Sequence, residues 1–410
     1  MKFSTSAPRT RRFAAAAIGV AMTATALAGC GSSGDAAGGG SKAPYKIGVL
    51  TALTGDYSAL GVPEKNAIDA YFKRVNAAGG IGGHPVKLVE LDSQSATGTA
   101  VNQFRKLVTQ DHVVAVLGPS SSGEGIGLQS FSLSMKTPTI VLASANQIVQ
   151  PADKAKYIFM QYTPTQQSLD AQLAFAKSKG WTKVAYLGAN NGYGQGPIEW
   201  LKDDAKKYGI TLTGTEMFDP TATDVSAQLG KLGAGNPDAV LVWAVNPANA
   251  IVAKSAASIG FKPVLFNSPG GGDASYISGA GAAANNTYLQ GSVVLGADSL
   301  PSSSPQYKQT HALLDDYKKD YGDVAGQFAA NGWDGSILLQ NAIEKAGNPD
   351  PSNVQAARDA IRTALESKTK DVPGVNGIYT FTADFHGSTP LTGLAVLQVQ
   401  NNAFTIVKTY

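Results

Sequence analysis

The sequence predicts an α/β protein of two lobes, each a Rossmann-like parallel sheet flanked by helices. Three observations carry this. Short apolar runs alternate with helix-periodic segments from Tyr45 onward. The alternation begins afresh after residue 143. The chain then closes with helical segments and a hairpin instead of more alternation. A length of 410 residues suits two or three domains.

KIGVL (46–50) is a short apolar strand. The segment 59–78 places Ile68, Tyr71, Phe72 and Val75 on one helical face. VKLVEL (86–91) is the next strand. The helix 97–108 gathers Ala100, Val101, Phe104, Leu107 and Val108 into one stripe. VVAVLG (113–118), a helix over 122–135 and PTIVLA (138–143) complete the first lobe. The second alternation starts with YIFMQY (157–162) and a helix over 165–178. KVAYLG (183–188) and a helix over 194–208 follow. Then come a strand over 210–218, a helix over 224–232, DAVLVWA (238–244), a helix over 247–259 and PVLFN (263–267). In the tail, helices are predicted over 305–321, 328–346 and 353–365. GIYTF (377–381) opens a hairpin-like end, and Asn401-Asn402 joins LAVLQVQ to AFTIVK. No motif recurs at 20–50-residue spacing, which excludes a solenoid.

The first 29 residues have the make-up of an export signal: Arg9, Arg11 and Arg12 early, then an apolar run from Phe13 through Ala28. That run is at the short limit for a membrane span. Leu27-Ala28-Gly29-Cys30 resembles the lipobox of bacterial lipoproteins at all four positions, and the resemblance implies lipidation of Cys30. Residues 31–44 read GSSGDAAGGGSKAP and predict a flexible tether with a reach of roughly 20 Å. The leader carries Lys2, Arg9, Arg11 and Arg12 and no acid. Without it, 33 basic against 30 acidic residues becomes 29 against 30. The basic excess belongs to the leader, so nothing points to nucleic acid. Cys30 is the one cysteine, which leaves none for disulfides or metal.

Catalytic motifs are missing. His84, His112, His311 and His386 stand far apart, without metal-ligand spacing. Gly118-Pro-Ser-Ser-Ser-Gly123 has one residue too many for a nucleophile elbow. Gly192-Tyr-Gly194-Gln-Gly196 has Pro197 where the dinucleotide fingerprint needs its last glycine. Neither cofactor, metal nor enzyme activity is expected.

One stretch does point to a site. At 118–123 a predicted strand ends and a helix begins. Helix starts leave backbone N–H groups unpaired, and their partial positive charge favours an anion. Serine there is equally a helix cap.

The segments KIGVLTALTGDYSALG, NAAGGIGGHPVKLVELDSQS, VVAVLGPSSSGEG, PTIVLASAN and KVAYLGANNGYGQG, in this order and spacing, resemble one family. It is the leucine/isoleucine/valine-type solute-binding proteins of ABC importers, with the type I periplasmic binding fold. The likeness spans residues 45–410. It implies two lobes joined by a three-crossover hinge, with crossings near Thr163, Leu295 and Val372. The domains would be a signal peptide (1–29), a lipidated cysteine and tether (30–44), an N-terminal lobe (45–162 plus 296–372) and a C-terminal lobe (163–295 plus 373–410). Ligand carboxylate would sit on Ser121, Ser122 and the Gly123 backbone. The loop Ala143-Ser144-Ala145-Asn146 would add contacts, and Tyr193 would close over the ligand. Val245 and Asn246 would line the second lobe, and Tyr57 and Leu60 the first.

Two departures bear on the ligand. Amino-acid binders of the family have Thr where Ala145 stands, and an acid near Pro269 for the ligand ammonium. Asp273 lies close enough in sequence to substitute. The expected ligand is therefore an amino acid, an organic or aromatic acid, or a small polar solute, with Tyr162, Tyr276 and Trp333 available to stack on a ring. The implied role is a monomeric capture protein on the outer face of the cytoplasmic membrane, delivering solute to an ABC permease. A sensor of the same fold and an exported α/β enzyme are the alternatives.

Overall fold

The computed structural model describes residues 42–388 and 393–410. The predicted signal peptide, Cys30 and the predicted tether as far as Ser41 lie outside the described residues. The first sheet has the order β2-β1-β3-β4-β5 and is parallel throughout. Its strands and helices run β1 (Tyr45–Thr51), α1 (Ser58–Ala77), β2 (Val86–Asp92), α2 (Thr97–Thr109), β3 (Ala115–Leu117), α3 (Ser122–Ser134), β4 (Thr139–Val141) and β5 (Ile158–Met160). The second lobe follows with α4 (Thr165–Ser178), β6 (Lys183–Ala189), α5 (Gly192–Gln195), α6 (Ile198–Lys207), β7 (Thr211–Phe218), α7 (Ser226–Gly233) and β8 (Ala239–Trp243). It continues through α8 (Ala248–Ser258), β9 (Val264–Asn267), α9 (Ala274–Ala280) and β10 (Tyr288–Ser292). The tail holds α10 (Tyr307–Tyr321), α11 (Gln327–Lys345), α12 (Val354–Lys368), β11 (Val372–Pro373), β12 (Ile378–Tyr379), β13 (Leu394–Gln400) and β14 (Ala403–Thr409). The second sheet has the order β14-β13-β10-β9-β8-β6-β7. Its strands are parallel from β10 to β7, and β13 and β14 are antiparallel additions.

The elements form where apolar periodicity placed them. The α2 stripe buries Ala100, Phe104, Leu107 and Val108. Asn401 and Asn402 have φ of 51° and 60°, the left-handed pair that lets a two-residue turn follow the strand twist. Four details differ from the sequence reading. The run 157–162 supplies β5, which pairs with β4 at the edge of the first sheet, so the second alternation opens with α4. The predicted helix over 194–208 is two helices, α5 and α6, with Pro197 capping the second. Helix α9 and strand β10 had no apolar run to announce them; β10 ends in Gln290, Gly291 and Ser292.

The fourth difference concerns the last crossing. Residues 373–388 stay on the first lobe instead of leaving it at Val372. Val375, Tyr379 and Phe381 are buried in that lobe's core. Gly387 bridges Met160 of β5, and His386 stacks on Phe159 at 4.1 Å. The chain enters the second sheet only at Leu394. Apolar side chains with a ready core hold the hairpin where it is. At the second crossing the change of lobe is abrupt: Val294 belongs to the first lobe's core, while its neighbour Val293 packs with β10 and β13 residues.

Helix α11 joins the tail to the cleft. It crosses α1 at Gly332, where a Cβ would stand 2.1 Å from the Glu64 carbonyl oxygen, so only glycine permits the approach. Three of its side chains reach the connecting segments. Gln327 donates from Nε2 to the Pro269 carbonyl (2.6 Å) and to the Tyr162 hydroxyl, and its Oε1 accepts from Ser292 N (2.7 Å). Asn331 Oδ1 accepts from Asn376 Nδ2 (2.7 Å). Asp334 accepts from the amides of Val375 and Asn376 and from the Tyr379 hydroxyl.

Candidate functional site

Between the lobes lies a cavity of about 250 Å³. The first lobe supplies Tyr57 and Leu60, the serines 120–122 with Gly123, and Ala143 and Ser144. The second supplies Asn191, Gly192, Tyr193, Val245 and Gly270. Tyr162 lines it from the first crossing, and Phe328 and Asn331 from α11. No Asp, Glu, Lys or Arg is among the lining residues.

The polar end is the start of α3. Gly118 turns the chain there with φ of 110°, and a Cβ would collide with the Leu50 carbonyl oxygen at 1.9 Å. Ser121 is the N-cap, closed by a capping box. Its Oγ accepts from Glu124 N (3.4 Å) and donates to Glu124 Oε2 (2.7 Å), which also accepts from Ser121 N (3.1 Å). The Ser121 hydroxyl proton is thereby engaged inside its own helix. Ser122 differs: its Oγ accepts from Ala145 N (3.3 Å) and keeps its proton for another acceptor. The amides of Ser122 and Gly123 have no hydrogen-bond partner among the described residues. Two amides, one hydroxyl and the positive end of a 13-residue helix thus face one wall of the cavity.

The opposite wall is partly satisfied within itself, with the Gly192 amide left without a hydrogen-bond partner among the described residues. Asn191 Oδ1 accepts from the amides of Tyr193 (3.1 Å) and Gly194 (3.0 Å), capping α5. The Tyr193 hydroxyl accepts from Gly270 N (3.1 Å), and its ring lies 5.3 Å from Trp243. Burial pushes the Tyr193 phenol up. One hydrogen bond spans the mouth, from Asn191 Nδ2 to the Tyr57 hydroxyl (3.3 Å). Burial raises the Tyr57 phenol as well, with the Glu124 and Asp56 charges adding to the effect. Gly192 approaches Gly123 so closely that a Cβ would stand 3.3 Å from its amide nitrogen.

Of the residues singled out from the sequence, Tyr57, Leu60, Ser121, Ser122, Gly123, Ala143, Ser144, Tyr193 and Val245 line this cavity. Three do not. Ala145 is buried in the first lobe's apolar core and offers only its amide to Ser122. Asn246 turns away, donating to Ser275 Oγ (3.2 Å), and lines a separate outer depression with Asp56 and Thr221. Pro269 is held by Gln327, and its neighbour Gly270 faces the cavity instead. Asp273, the possible substitute acid, accepts from Ser275 N (2.8 Å) and caps α9. Of the three spare aromatics, Tyr162 lines the cleft, whereas Trp333 and Tyr276 are core.

Sequence reasoning missed Ser95, Thr97, Leu142, Asn191, Gly192, Gly270, Phe328 and Asn331. Asn191 had a local signal, an Asn before a helix start. Phe328 and Asn331 had none, because α1–α11 packing brings them in. Among the described residues no group of three or more His, Cys, Asp or Glu side chains can hold a metal ion. Among them, too, no helix is long and apolar enough to cross a membrane.

Comparison with known proteins agrees with this architecture. A periplasmic binding protein family model matches residues 44–403. A Leu/Ile/Val-binding protein homolog 2 from Brucella abortus (strain 2308) is 25% identical over 343 residues, 83% of this chain and 89% of that protein. An extracellular ligand-binding receptor from Rhodopseudomonas palustris HaA2 superposes with a TM-score of 0.82 at 27% identity, covering 89% of this chain and all of that one. The substrate-binding protein LivJ of Streptococcus pneumoniae, solved with isoleucine, shares the fold at a TM-score of 0.74 and 24% identity, covering 89% of this chain and 99% of that one. A two-lobed fold, an interlobe cavity and a match over nearly the whole described chain lead to one conclusion: this chain belongs to the periplasmic binding protein family.

Proposed function

We propose that this protein is the solute-binding subunit of an ABC importer and captures a small carboxylate-bearing solute in the interlobe cavity. The observation that carries this is the pair of unpartnered amides at Ser122 and Gly123, beside the unengaged Ser122 hydroxyl proton. Charge-assisted hydrogen bonds of this kind are the strong ones. The solute's other end meets Leu60, Tyr162, Tyr193 and Phe328. That surface suits an apolar or aromatic group. With no acid on the lining, an ammonium would enter without a counter-charge. The favoured ligand is therefore an organic or aromatic acid. The names of the relatives favour a second reading, a branched-chain amino acid.

Solute bridging both walls favours the closed arrangement, since only that form makes both sets of contacts. In this reading Cys30 carries lipid on the outer face of the cytoplasmic membrane, and the loaded monomer docks on a permease. The test is a thermal-shift series on the purified protein with benzoate, phthalate, leucine and isoleucine. Benzoate at a hundred times its Kd is expected to stabilise by about 2.7 kcal/mol. Stabilisation by leucine or isoleucine alone establishes the second reading. Stabilisation by none of the four removes both.

A further inference from the structure

Behind the polar wall lies a carboxyl group that the capture scheme leaves unused. Glu64 of α1 is fully buried. Its Oε1 accepts from Asn331 Nδ2 at 3.3 Å, and its carboxyl also meets the Ser120 hydroxyl. Both neighbours line the cavity. Its Oε2 has no partner among the described residues. The close approach of α11 at Gly332 fixes this position, because the backbone of Glu64 is the point of contact.

Among the described residues no positive charge answers Glu64. On its own helix, Lys65 pairs with Asp69 and Glu90, and Lys73 and Arg74 pair with Asp320 and Asp316 of α10. From α3 it faces Glu124, also buried, with Oε1 unpartnered. From α11 come the neutral Asn331 and, further along, Asp334, bound to Tyr379 and two amides. From beyond β5 comes the Tyr162 phenol. An isolated charge in such a place is strongly disfavoured, and an anion on the Ser122 and Gly123 amides disfavours it further.

We propose that Glu64 is a specificity-determining residue that stays protonated in the loaded protein, so that capture of an anionic solute is linked to a proton on this side chain. The inference rests on the carboxylate reading of the cleft. The proton comes from solvent, and no covalent bond to solute is made. Burial, the largest influence, together with the Glu124 charge, pushes the carboxyl well above its usual range. Affinity for an anion is then level at pH values below the Glu64 titration. Above it, affinity falls by up to about tenfold per pH unit.

Two measurements test this. The first needs no solute: an infrared difference spectrum at pH 7 between wild type and Glu64→Gln. A protonated-carboxyl C=O band present in wild type and lost in the variant is expected; no lost band overturns the inference. If Glu64→Gln does not fold, Glu124→Gln, which preserves the capping-box pattern, and Asp334→Asn remove the competing carboxyls. The band must then persist in both. The second is the Kd of benzoate from pH 5.5 to 9. Wild-type affinity is expected to fall at the alkaline end, and Glu64→Gln to flatten the profile. A wild-type profile level throughout overturns the linkage. Leucine binding that Glu64→Gln weakens more than tenfold also overturns it, by making Glu64 the ammonium's counter-charge. A band lost on substitution, without binding of either probe, defeats the carboxylate reading and the linkage with it, while leaving the protonated side chain in place.

Discussion

The two walls of the cleft are built on opposite plans. The first-lobe wall ends a strand in a helix start whose amides at Ser122 and Gly123 are unengaged. The second-lobe wall also ends a strand in a helix start, but there Asn191 caps the tight turn, and the Tyr193 hydroxyl is bonded to Gly270. Similar βα units thus yield a wall with two adjacent unpartnered amides beside a hydroxyl, and a wall on which Asn191 takes up two amides and leaves only that of Gly192. The difference teaches that the first lobe concentrates its free donors at one helix start, whereas the second sets fewer of them beside the Tyr193 ring.

The largest effect expected belongs to neither wall, and it checks that the shared helix α11 can be separated from them. Burial pushes the Asp334 carboxyl up to about 7, although Tyr379 and two amides oppose the shift. A raised carboxyl lends its stability at low pH and loses it as pH climbs from the unfolded value through the folded one. Stability is expected to fall between about pH 4 and 7 by on the order of 3 kcal/mol, and Asp334→Asn to flatten that slope. Chemical denaturation across pH measures it. A slope unaltered by the substitution assigns the effect elsewhere.

Next in size is Ser122→Ala. Removing a donor to a charged group is expected to weaken carboxylate binding by about 1.5–3 kcal/mol, with little change in melting temperature. An unchanged Kd breaks the comparison, because the first wall then recognises nothing through this hydroxyl. Ser121→Ala should behave in the reverse way. Loss of a cap is expected to lower stability by about 1 kcal/mol, and affinity only as far as the helix start frays. Calorimetry and titration of both variants decide whether adjacent serines have separate tasks. The smallest effect is Tyr57→Phe, which deletes the hydrogen bond from Asn191 across the mouth. A loss of about 0.5–1.5 kcal/mol in affinity is expected. A larger loss would show that closure depends on the first lobe's rim more than on the second lobe's cover.

The legible parts of the molecule are those encoded locally. The run VVAVLG followed by serines marks a strand, a turn and a helix start within eleven residues (113–123), so Ser122 and Gly123 could be named. The spacing Ser121-x-x-Glu124 was equally visible as a capping box, and it carries the reason why Ser121 serves its helix first. Strand β10 escaped because its buried end consists of Gln290, Gly291 and Ser292, which an apolar-run criterion passes over. Asn331 and Phe328 escaped for a different reason. Their place in the cleft depends on the crossing of α1 and α11, elements more than 240 residues apart in the chain. The last connector was misplaced because Val375, Tyr379 and Phe381 find their apolar neighbours by tertiary fit.

Gln327 has a mechanical consequence. Rooted in a first-lobe helix, it grips a carbonyl and an amide of the second lobe, and its side-chain amide is wedged between Gly272 and Gly291, where added Cβ atoms would stand 2.7 and 2.9 Å from it. A fastening so tightly enclosed acts as a rivet, and a rotation axis running through it leaves nearby residues almost still. Any rotation about this point would carry residues further the more distant they lie from it, so the Asn191–Tyr57 bond at the rim would feel it before the contacts of Gln327 do.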